Sequence, residues 1–439
     1  PSRNIVDLLW FPTGGGKTEA YLGLSSFTIF YNKIINSKSF GNYILMRYTL
    51  RLLTGQQFQR AQSLICSMEK IRRDNLSLLG EKEISIGLFV GNNSSPNTKE
   101  RWRSIKNEIR ENGKRTNLVL LNCPWCGTEM GPQQINQEDL TTKGYGDDGD
   151  YYCENSKCDF HDGLPVYTVD EVLYSKKPSL IIATVDKFAI TPWKFKDVKK
   201  LFFNKKNPNQ IKPQLIIQDE LHLISGKLGS MVGFFELMIE KLCEDTINQK
   251  NIKPKIIAST ATISNSQNQI RSLYGRQSNL FPPQLNKMGN SFFAEVKEKK
   301  QGRMYVGIFF SANSSQQITL SRLTAYIAQE PKLYLFNEGD PHIADMYWTS
   351  VLYFNSTREL NQANTLIENN IRNTLRRYYD RLNISFKNEE KKHIRRYLYS
   401  DKGKVELTSR ETESNLTKYF QRLQQNKIIG IDDKEVKMS

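Results

Sequence analysis

Short apolar runs alternate with helical segments over the first 262 positions of the chain. Six of these runs are predicted to be β-strands, at residues 5–11, 43–48, 84–90, 180–184, 215–218 and 255–259. Their nearly continuous Ile, Leu and Val content is typical of strands that are covered on both faces. The alternation predicts an α/β fold with a parallel sheet, in which ligands bind at the carboxyl edge.

Two later regions depart from this pattern. Residues 115–170 carry two cysteine pairs and a Gly- and Asp-rich stretch, which predicts a metal-binding module inserted in a first domain of residues 1–265. Residues 266–344 are predicted to be an irregular linker. A partial second αβ domain is predicted at residues 345–439, with strands at 347–354 and 405–408 and a basic helix at 359–382. Because the chain opens at Pro1 directly on a strand, we expect a piece of a longer protein.

A glycine-rich segment at residues 11–18 connects the first strand to a helix. In such a loop the backbone N–H groups cradle phosphate oxygens at a helix N-terminus. Lys17 is expected to reach the β- and γ-phosphates, and the Thr18 hydroxyl is expected to ligate Mg2+. The predicted ATP-binding residues are Thr13, Gly14, Gly15, Gly16, Lys17 and Thr18. The alternative, a glycine-rich turn that only caps a helix, does not explain the order of strand, loop, Lys-Thr and helix.

Two acidic residues follow the apolar strand at 215–218. Asp219 is predicted to hold Mg2+ together with Thr18, and Glu220 to position and polarise the water that attacks the γ-phosphate. His222 is predicted to couple this site to its neighbours by hydrogen bonding. A further segment at residues 259–262, Ser-Thr-Ala-Thr, closes the next strand, and its hydroxyls are expected to contact the acidic motif.

The cysteines fall into two groups. Cys66 and Cys243 stand alone in apolar helical contexts and are interpreted as buried small hydrophobes. The predicted ligands of one structural Zn2+ are Cys123, Cys126, Cys153 and Cys158. Four thiolates leave no open position for water, so the site is assigned to structure and not to catalysis. Two alternatives stay open: free thiols or disulfides, and His161 as the fourth ligand in place of Cys158.

The balance of charge indicates a polyanionic partner. Sixty-two Lys and Arg against 46 Asp and Glu leave a net charge of +16, which suits nucleic acid, although a generally basic surface is the alternative. No apolar run approaches the roughly 20 residues that a membrane span needs, so no membrane association is expected. The absence of a secretory signal at the start favours a reducing cytoplasm.

The motifs GGGKT, DELH and STAT, in this order, resemble those of superfamily 2 helicases of the DExH type. The resemblance implies a RecA-like P-loop domain with the zinc module inserted, followed by part of a second RecA-like domain. It also implies nucleic-acid contacts in segments 46–51, 183–188 and 353–358. The candidates for these contacts are Arg47, Thr49, Arg51, Thr184, Lys187, Asn355 and Arg358. Each of them is alternatively a solvated or capping residue.

Longer sequence segments resemble a particular group within this superfamily. LLWFPTGGGKTEAYLGL, LMRYTLRLLTGQQFQRA and IIQDELHLISGKLGS are similar to the helicase subunits of DISARM anti-phage defence systems. This implies an ATP-dependent motor in the bacterial cytoplasm that acts on single-stranded or tailed duplex DNA with a partner protein subunit. An ATP-gated DNA clamp or sensor, and an RNA helicase, are the alternatives. The Gln-, Gly- and Arg-rich motif that supplies the arginine finger in this family is absent before Ser439, so slow ATP turnover is expected.

Overall fold

The computed structural model divides the chain into two compact units, Pro1–Glu298 and Lys299–Ser439, called here the first and the second unit. The structure describes residues 3–10, 16–49, 51–92, 95–112, 120–134, 140–202, 207–247, 250–260, 266–283, 290–293, 304–309, 315–381, 405–408, 419 and 423.

The strands of the first unit begin with the phosphate-loop strand. They are β1 (Ile5–Leu9), β2 (Phe40–Gly41), β3 (Ile44–Tyr48), β4 (Ile86–Phe89), β5 (Gly131–Gln134), β6 (Leu140–Lys143), β7 (Val166–Tyr167), β8 (Leu180–Thr184), β9 (Gln210–Ile211), β10 (Leu215–Gln218), β11 (Asp245–Ile247), β12 (Lys250–Ile252), β13 (Lys255–Ser259) and β14 (Gln277–Phe281).

Helices connect most of these strands. They are α1 (Lys17–Ile35), α2 (Arg51–Asp74), α3 (Leu76–Leu79), α4 (Lys99–Asn112), α5 (Asp170–Lys176), α6 (Phe195–Phe202), α7 (Gly226–Cys243) and α8 (Ser266–Tyr274). The 3₁₀ helices are Val185–Ile190 and Leu221–Leu223. The helices of the second unit are α9 (Gln316–Phe336), α10 (Pro341–Met346) and α11 (Thr357–Arg381).

Eight of the described strands form one parallel sheet, in the order β14-β1-β13-β10-β3-β8-β4-β7. Every residue of β3 and β8 is buried, because helices cover both faces of the sheet centre. The register places Leu9 beside Ser259 and Gln218 beside Ala258. The segments that follow β1, β10 and β13 therefore start at the same edge of the sheet.

The predicted α/β class with a parallel sheet is confirmed, and the structure contains all six predicted strands. β8, β10 and β13 have the predicted bounds, while β1 ends at Leu9, two residues earlier than predicted. The sheet also has two strands that were not predicted, β7 and β14, at its edges. β14 is polar and partly exposed, so it lacks the apolar signal of a buried strand. Because β14 pairs with β1, the sheet continues beyond residue 265, the predicted end of the first domain.

The second unit is helical in its described residues. The basic helix predicted at 359–382 is present as α11, and α9 meets it through a hydrogen bond of 2.9 Å from Gln317 Nε2 to Gln362 Oε1. The strands predicted at 347–354 and 405–408 are wrong, since these residues form no strand. A strand needs a neighbour for its backbone N–H and C=O groups, and the described part of this unit provides none. Val351 and Tyr353 are accordingly exposed.

Candidate functional site

The end of the predicted phosphate loop leads directly into α1. Gly16 has a φ of 79°, a left-handed conformation that favours glycine, and Lys17 is the first residue of the helix. The N–H groups in the first turn of a helix have no partner within it and carry the positive end of its dipole. Gly16, Lys17 and Thr18 thus have the backbone setting that phosphate binding requires. Thr13, Gly14 and Gly15 lie outside the described residues.

Asp219 is the buried carboxylate at the end of β10. It accepts hydrogen bonds from the Tyr21 hydroxyl at 2.7 Å, the Ser259 hydroxyl at 2.5 Å and the Glu220 backbone N–H at 2.9 Å. The hydroxyls of Tyr21 and Thr18 are 3.1 Å apart. The structure therefore brings together the two predicted Mg2+ ligands, Thr18 and Asp219, with Tyr21 between them.

Tyr21 was not among the predicted site residues. It lies one helical turn after Thr18, on the same face of α1, so the i, i+3 spacing was an available signal. Burial, and then the charge of Asp219, raise the pKa of Tyr21 well above its usual value, which keeps the hydroxyl protonated as a donor. The pKa of Tyr48 is raised for the same reasons, burial first and then Tyr21 and Asp219.

We expect the Tyr21→Phe variant to need about 10- to 100-fold more Mg2+ for nucleotide binding, the usual effect of removing a hydrogen bond that orients a metal ligand. Titrating nucleotide binding with Mg2+ measures this directly. Tyr43→Phe is the matched control, because it removes another buried hydroxyl, one that pairs with Ser39 at 2.9 Å instead. Equal Mg2+ requirements in both variants and the wild type would contradict the assignment.

Glu220 and His222 lie beside this carboxylate. Glu220 has a φ of 47°, rare for a residue with a side chain, and its Oε2 lies 3.3 Å from Nδ1 of His222. The same nitrogen lies 3.3 Å from the hydroxyl of Thr260, which follows β13. Both side chains remain partly exposed, so water reaches them. The arrangement links the acidic motif to the next strand end, and the coupling role of His222 stays a prediction. Ala261 and Thr262 lie outside the described residues.

Arg47 does not have the surroundings predicted for a phosphate contact. Its side chain is 0% exposed and forms an ion pair with Glu236 of α7. Burial alone would lower the pKa of Arg47, but the carboxylate of Glu236 raises it. The prediction is wrong for this side chain, because its charge is already matched by a carboxylate 189 positions away in sequence.

Two residues of the segment at 183–188 require the same correction. Lys187 is buried and lies 2.8 Å from a carboxylate oxygen of Asp170 and 3.0 Å from the amide oxygen of Asn97. Burial lowers the pKa of Lys187 and raises that of Asp170 to about 6, against the mutual attraction of the pair. The hydroxyl of Thr184 is enclosed as well. Neither side chain is accessible to a phosphate.

The other predicted nucleic-acid contacts remain predictions. Thr49 is half-buried at the carboxyl end of β3, and the side chain of Arg51, at the start of α2, lies outside the described residues. In the second unit Asn355 and Arg358 are exposed. The Asn355 backbone N–H donates to Glu359 at 3.1 Å.

The four predicted zinc ligands meet in one cluster. The sulfurs of Cys123, Cys126, Cys153 and Cys158 all lie within 4.8 Å of one another. The Cys126–Cys153 and Cys123–Cys158 sulfur distances are 3.4 and 3.9 Å. A tetrahedron with Zn–S bonds of about 2.3 Å separates its sulfurs by roughly 3.8 Å, so this donor set fits a closed zinc site. His161 is not needed as a ligand, since the four cysteine sulfurs already complete the set; its Nδ1 lies 2.7 Å from the Cys153 carbonyl oxygen.

The cysteine cluster is anchored to α2. The Ser63 hydroxyl donates to the Pro124 carbonyl at 3.0 Å, and the Arg73 guanidinium donates to the Asp159 carbonyl at 2.9 Å. The same guanidinium lies 4.7 Å from the centre of the Phe160 ring. The module is therefore part of the packing of the first unit and is not an independent appendage.

These features have the arrangement that the resemblance to superfamily 2 helicases predicted: the end of a glycine-rich segment that leads into a helix, an acidic pair at a nearby strand end and a hydroxyl motif at the strand between them. Over 99% of its length the chain is 35% identical to the DISARM protein DrmA of Bacillus paralicheniformis. The resemblance predicted from the sequence is thereby confirmed. The chain spans 41% of the length of that relative.

The similarity to protein-family models and to solved structures is weaker. No protein-family model matches the chain. Among solved structures, the DUF1998 helicase MrfA is 14% identical, with a TM-score of 0.36, over 90% of this chain and 39% of that one. The yeast DEAD-box splicing factor Prp28 is 13% identical, with a TM-score of 0.32, over 63% of this chain and 40% of that one.

Proposed function

We propose that this protein is an ATP-driven motor that translocates on DNA in a DISARM-type bacterial defence system. The observation that carries the proposal is the meeting of Thr18, Asp219 and Glu220 at one sheet edge, beside the N-terminus of α1. This is the set of groups that phosphoryl transfer to water requires. The 35% identity to DrmA supports the biological setting.

In the proposed reaction, the N–H groups after Gly16 and the ammonium of Lys17 bind the phosphates of ATP. The Thr18 hydroxyl and the Asp219 carboxylate would hold Mg2+, which would neutralise charge on the phosphates. Tyr21 and Ser259 orient the Asp219 carboxylate through their hydrogen bonds. Glu220 orients the attacking water and accepts its proton, and His222 relays the state of the site to Thr260.

The cysteine cluster has a structural role in this proposal. Zinc held by Cys123, Cys126, Cys153 and Cys158 would keep the module packed on α2. All four donors come from the protein and no position is left for a reactant, so the metal takes no part in hydrolysis.

DNA, as a single strand or a tailed duplex, is the proposed nucleic acid, and a protein subunit of the defence complex is the proposed partner. The net charge of +16 supports a polyanionic partner. Location in the bacterial cytoplasm belongs to the same proposal. None of the helices in the described part of the chain has the length and apolar character to span a bilayer.

The test is the rate of ATP hydrolysis with and without single-stranded DNA. We expect DNA to accelerate hydrolysis and Lys17→Ala to abolish it, because the lysine is needed for phosphate binding. Strand displacement on a tailed duplex then separates a motor from a clamp that binds and hydrolyses without displacing. Preference for matched RNA strands over DNA, or hydrolysis that is indifferent to DNA, would contradict the proposal.

A further inference from the structure

An exposed aromatic and basic segment follows β8. It consists of Trp193, Lys194, Phe195, Lys196, Lys199 and Lys200, called here the Trp193 patch. The side chain of Trp193 is 82% exposed and that of Phe195 is 43% exposed. Tryptophan is highly buried on average, so exposure of this extent marks a candidate binding surface.

The backbone that presents Trp193 is anchored. The N–H groups of Trp193 and Lys194 both donate to the Ile190 carbonyl, at 3.1 and 3.0 Å, and Thr191 is buried. On the other side, α6 is held in the core by Val198, Leu201 and Phe202. The indole therefore projects from a fixed support, which lowers the entropic cost of stacking a ligand on it.

The charge around these rings is positive. Residues 193–200 contain four lysines and one aspartate. Lys200 pairs with Asp197 at 2.7 Å, and Lys199 Nζ lies 5.5 Å from the centre of the Phe195 ring. Lys194 and Lys196 alternate with the aromatic residues. Exposed π-faces and ammonium groups thus share one short surface.

The composition of the patch distinguishes between ligands. Lysine is depleted in protein–protein interfaces, so a surface of aromatic rings among lysines is a poor match for a protein partner. Single-stranded nucleic acid offers phosphates for the lysines and unpaired bases for the rings. The position agrees with this, since the patch follows the 3₁₀ helix that continues from β8 at the carboxyl edge of the sheet. Thr184 and Lys187, predicted there as phosphate contacts, are buried, whereas the Trp193 patch is accessible.

We infer that the Trp193 patch is a base-stacking site for single-stranded nucleic acid, with the indole of Trp193 against a base and the neighbouring lysines on the phosphates. This inference rests on the proposed function, because it assigns residues to the nucleic-acid binding proposed above. It adds a contact to bases, which a set of phosphate contacts alone does not provide.

The test compares two single strands of equal length, oligothymidylate and an abasic strand with the same number of phosphates. We expect Trp193→Ala to weaken binding of oligothymidylate by about 5- to 150-fold, the range for loss of one stacked base, and to leave the abasic strand unchanged. Lys196→Ala should weaken both strands by the same factor, since it removes only charge. Fluorescence anisotropy at fixed salt concentration measures the affinity of the wild type and of each variant for both strands.

Phe234→Ala is the matched control. Phe234 is 78% exposed on α7, and no lysine occurs between residues 230 and 238, so its removal should change neither affinity. If the wild type binds oligothymidylate but Trp193→Ala keeps its affinity for both strands, or loses the same factor for both, only the stacking site is overturned. The patch would then be assigned to a protein partner. Wild-type protein that binds neither strand overturns the proposed DNA-binding function as well.

Discussion

Glu220→Gln is expected to lower ATP hydrolysis by about 10²- to 10⁴-fold while ATP binding is kept, the effect of removing a general base. Glutamine has nearly the same shape and can still hydrogen-bond to water, but it cannot accept the proton. The left-handed backbone at Glu220 places its carboxylate 3.3 Å from His222, beside the Asp219 carboxylate and accessible to water. In the proposed mechanism, phosphate binding depends instead on Lys17 and the N-terminus of α1, which the substitution does not touch.

Single-turnover hydrolysis and equilibrium binding of a nucleotide measure the two effects separately. Glu100→Gln, which neutralises an exposed carboxylate in the first turn of α4, should leave both unchanged. If Glu220→Gln hydrolyses ATP at the wild-type rate, another group accepts the proton and the assignment is wrong. If ATP binding is lost as well, Glu220 has a role in the nucleotide site beyond that of a base.

Cys153→Ser is expected to remove bound zinc and to lower the free energy of unfolding of the first unit by at least about 4 kcal/mol, the size associated with loss of a metal site. Cys153 is fully buried in the cluster, with its sulfur 3.4 Å from that of Cys126. Three thiolates would leave an open position, and His161 is not among the residues whose ligand atoms cluster there.

Metal analysis and urea unfolding test this prediction. Cys243→Ala is the matched control, since Cys243 is a buried cysteine of the same unit that lies outside the cluster. The control should retain about one zinc per chain, the number that a single four-thiolate site holds. Equal and small losses of stability in both variants, without zinc in the wild type, would show that the four cysteines are free thiols.

Local patterns in the sequence predicted the framework well. The six buried strands appear as runs of Ile, Leu and Val, and the phosphate loop and the cysteine pairs depend on residues close together in the chain. The clustering of Cys123, Cys126, Cys153 and Cys158 followed from ligand spacing alone. The edge strand β14 was not predicted, because a polar strand at the edge of a sheet has no apolar pattern in the sequence.

The surroundings of individual charged and polar side chains were not predictable in this way. Arg47 and Lys187 occur near strand ends, where a phosphate contact was predicted. In the structure, however, Arg47 is paired with the buried carboxylate of Glu236 and Lys187 with that of Asp170. Likewise, the spacing within α1 places Tyr21 beside Thr18, but it does not indicate that the Tyr21 hydroxyl donates to Asp219, 198 positions later.

The amino-acid sequence by itself therefore determined the α/β class, the position of the phosphate loop and acidic motif, and the set of cysteines that meet. Only the tertiary structure decided which cations are buried in ion pairs, which hydroxyls orient Asp219, and that Trp193 is exposed. The physical reason is that hydrophobic periodicity and ligand spacing are properties of neighbouring residues. The partner of a side chain, in contrast, depends on which strands and helices are neighbours in space, and this is set by the order of the strands in the sheet.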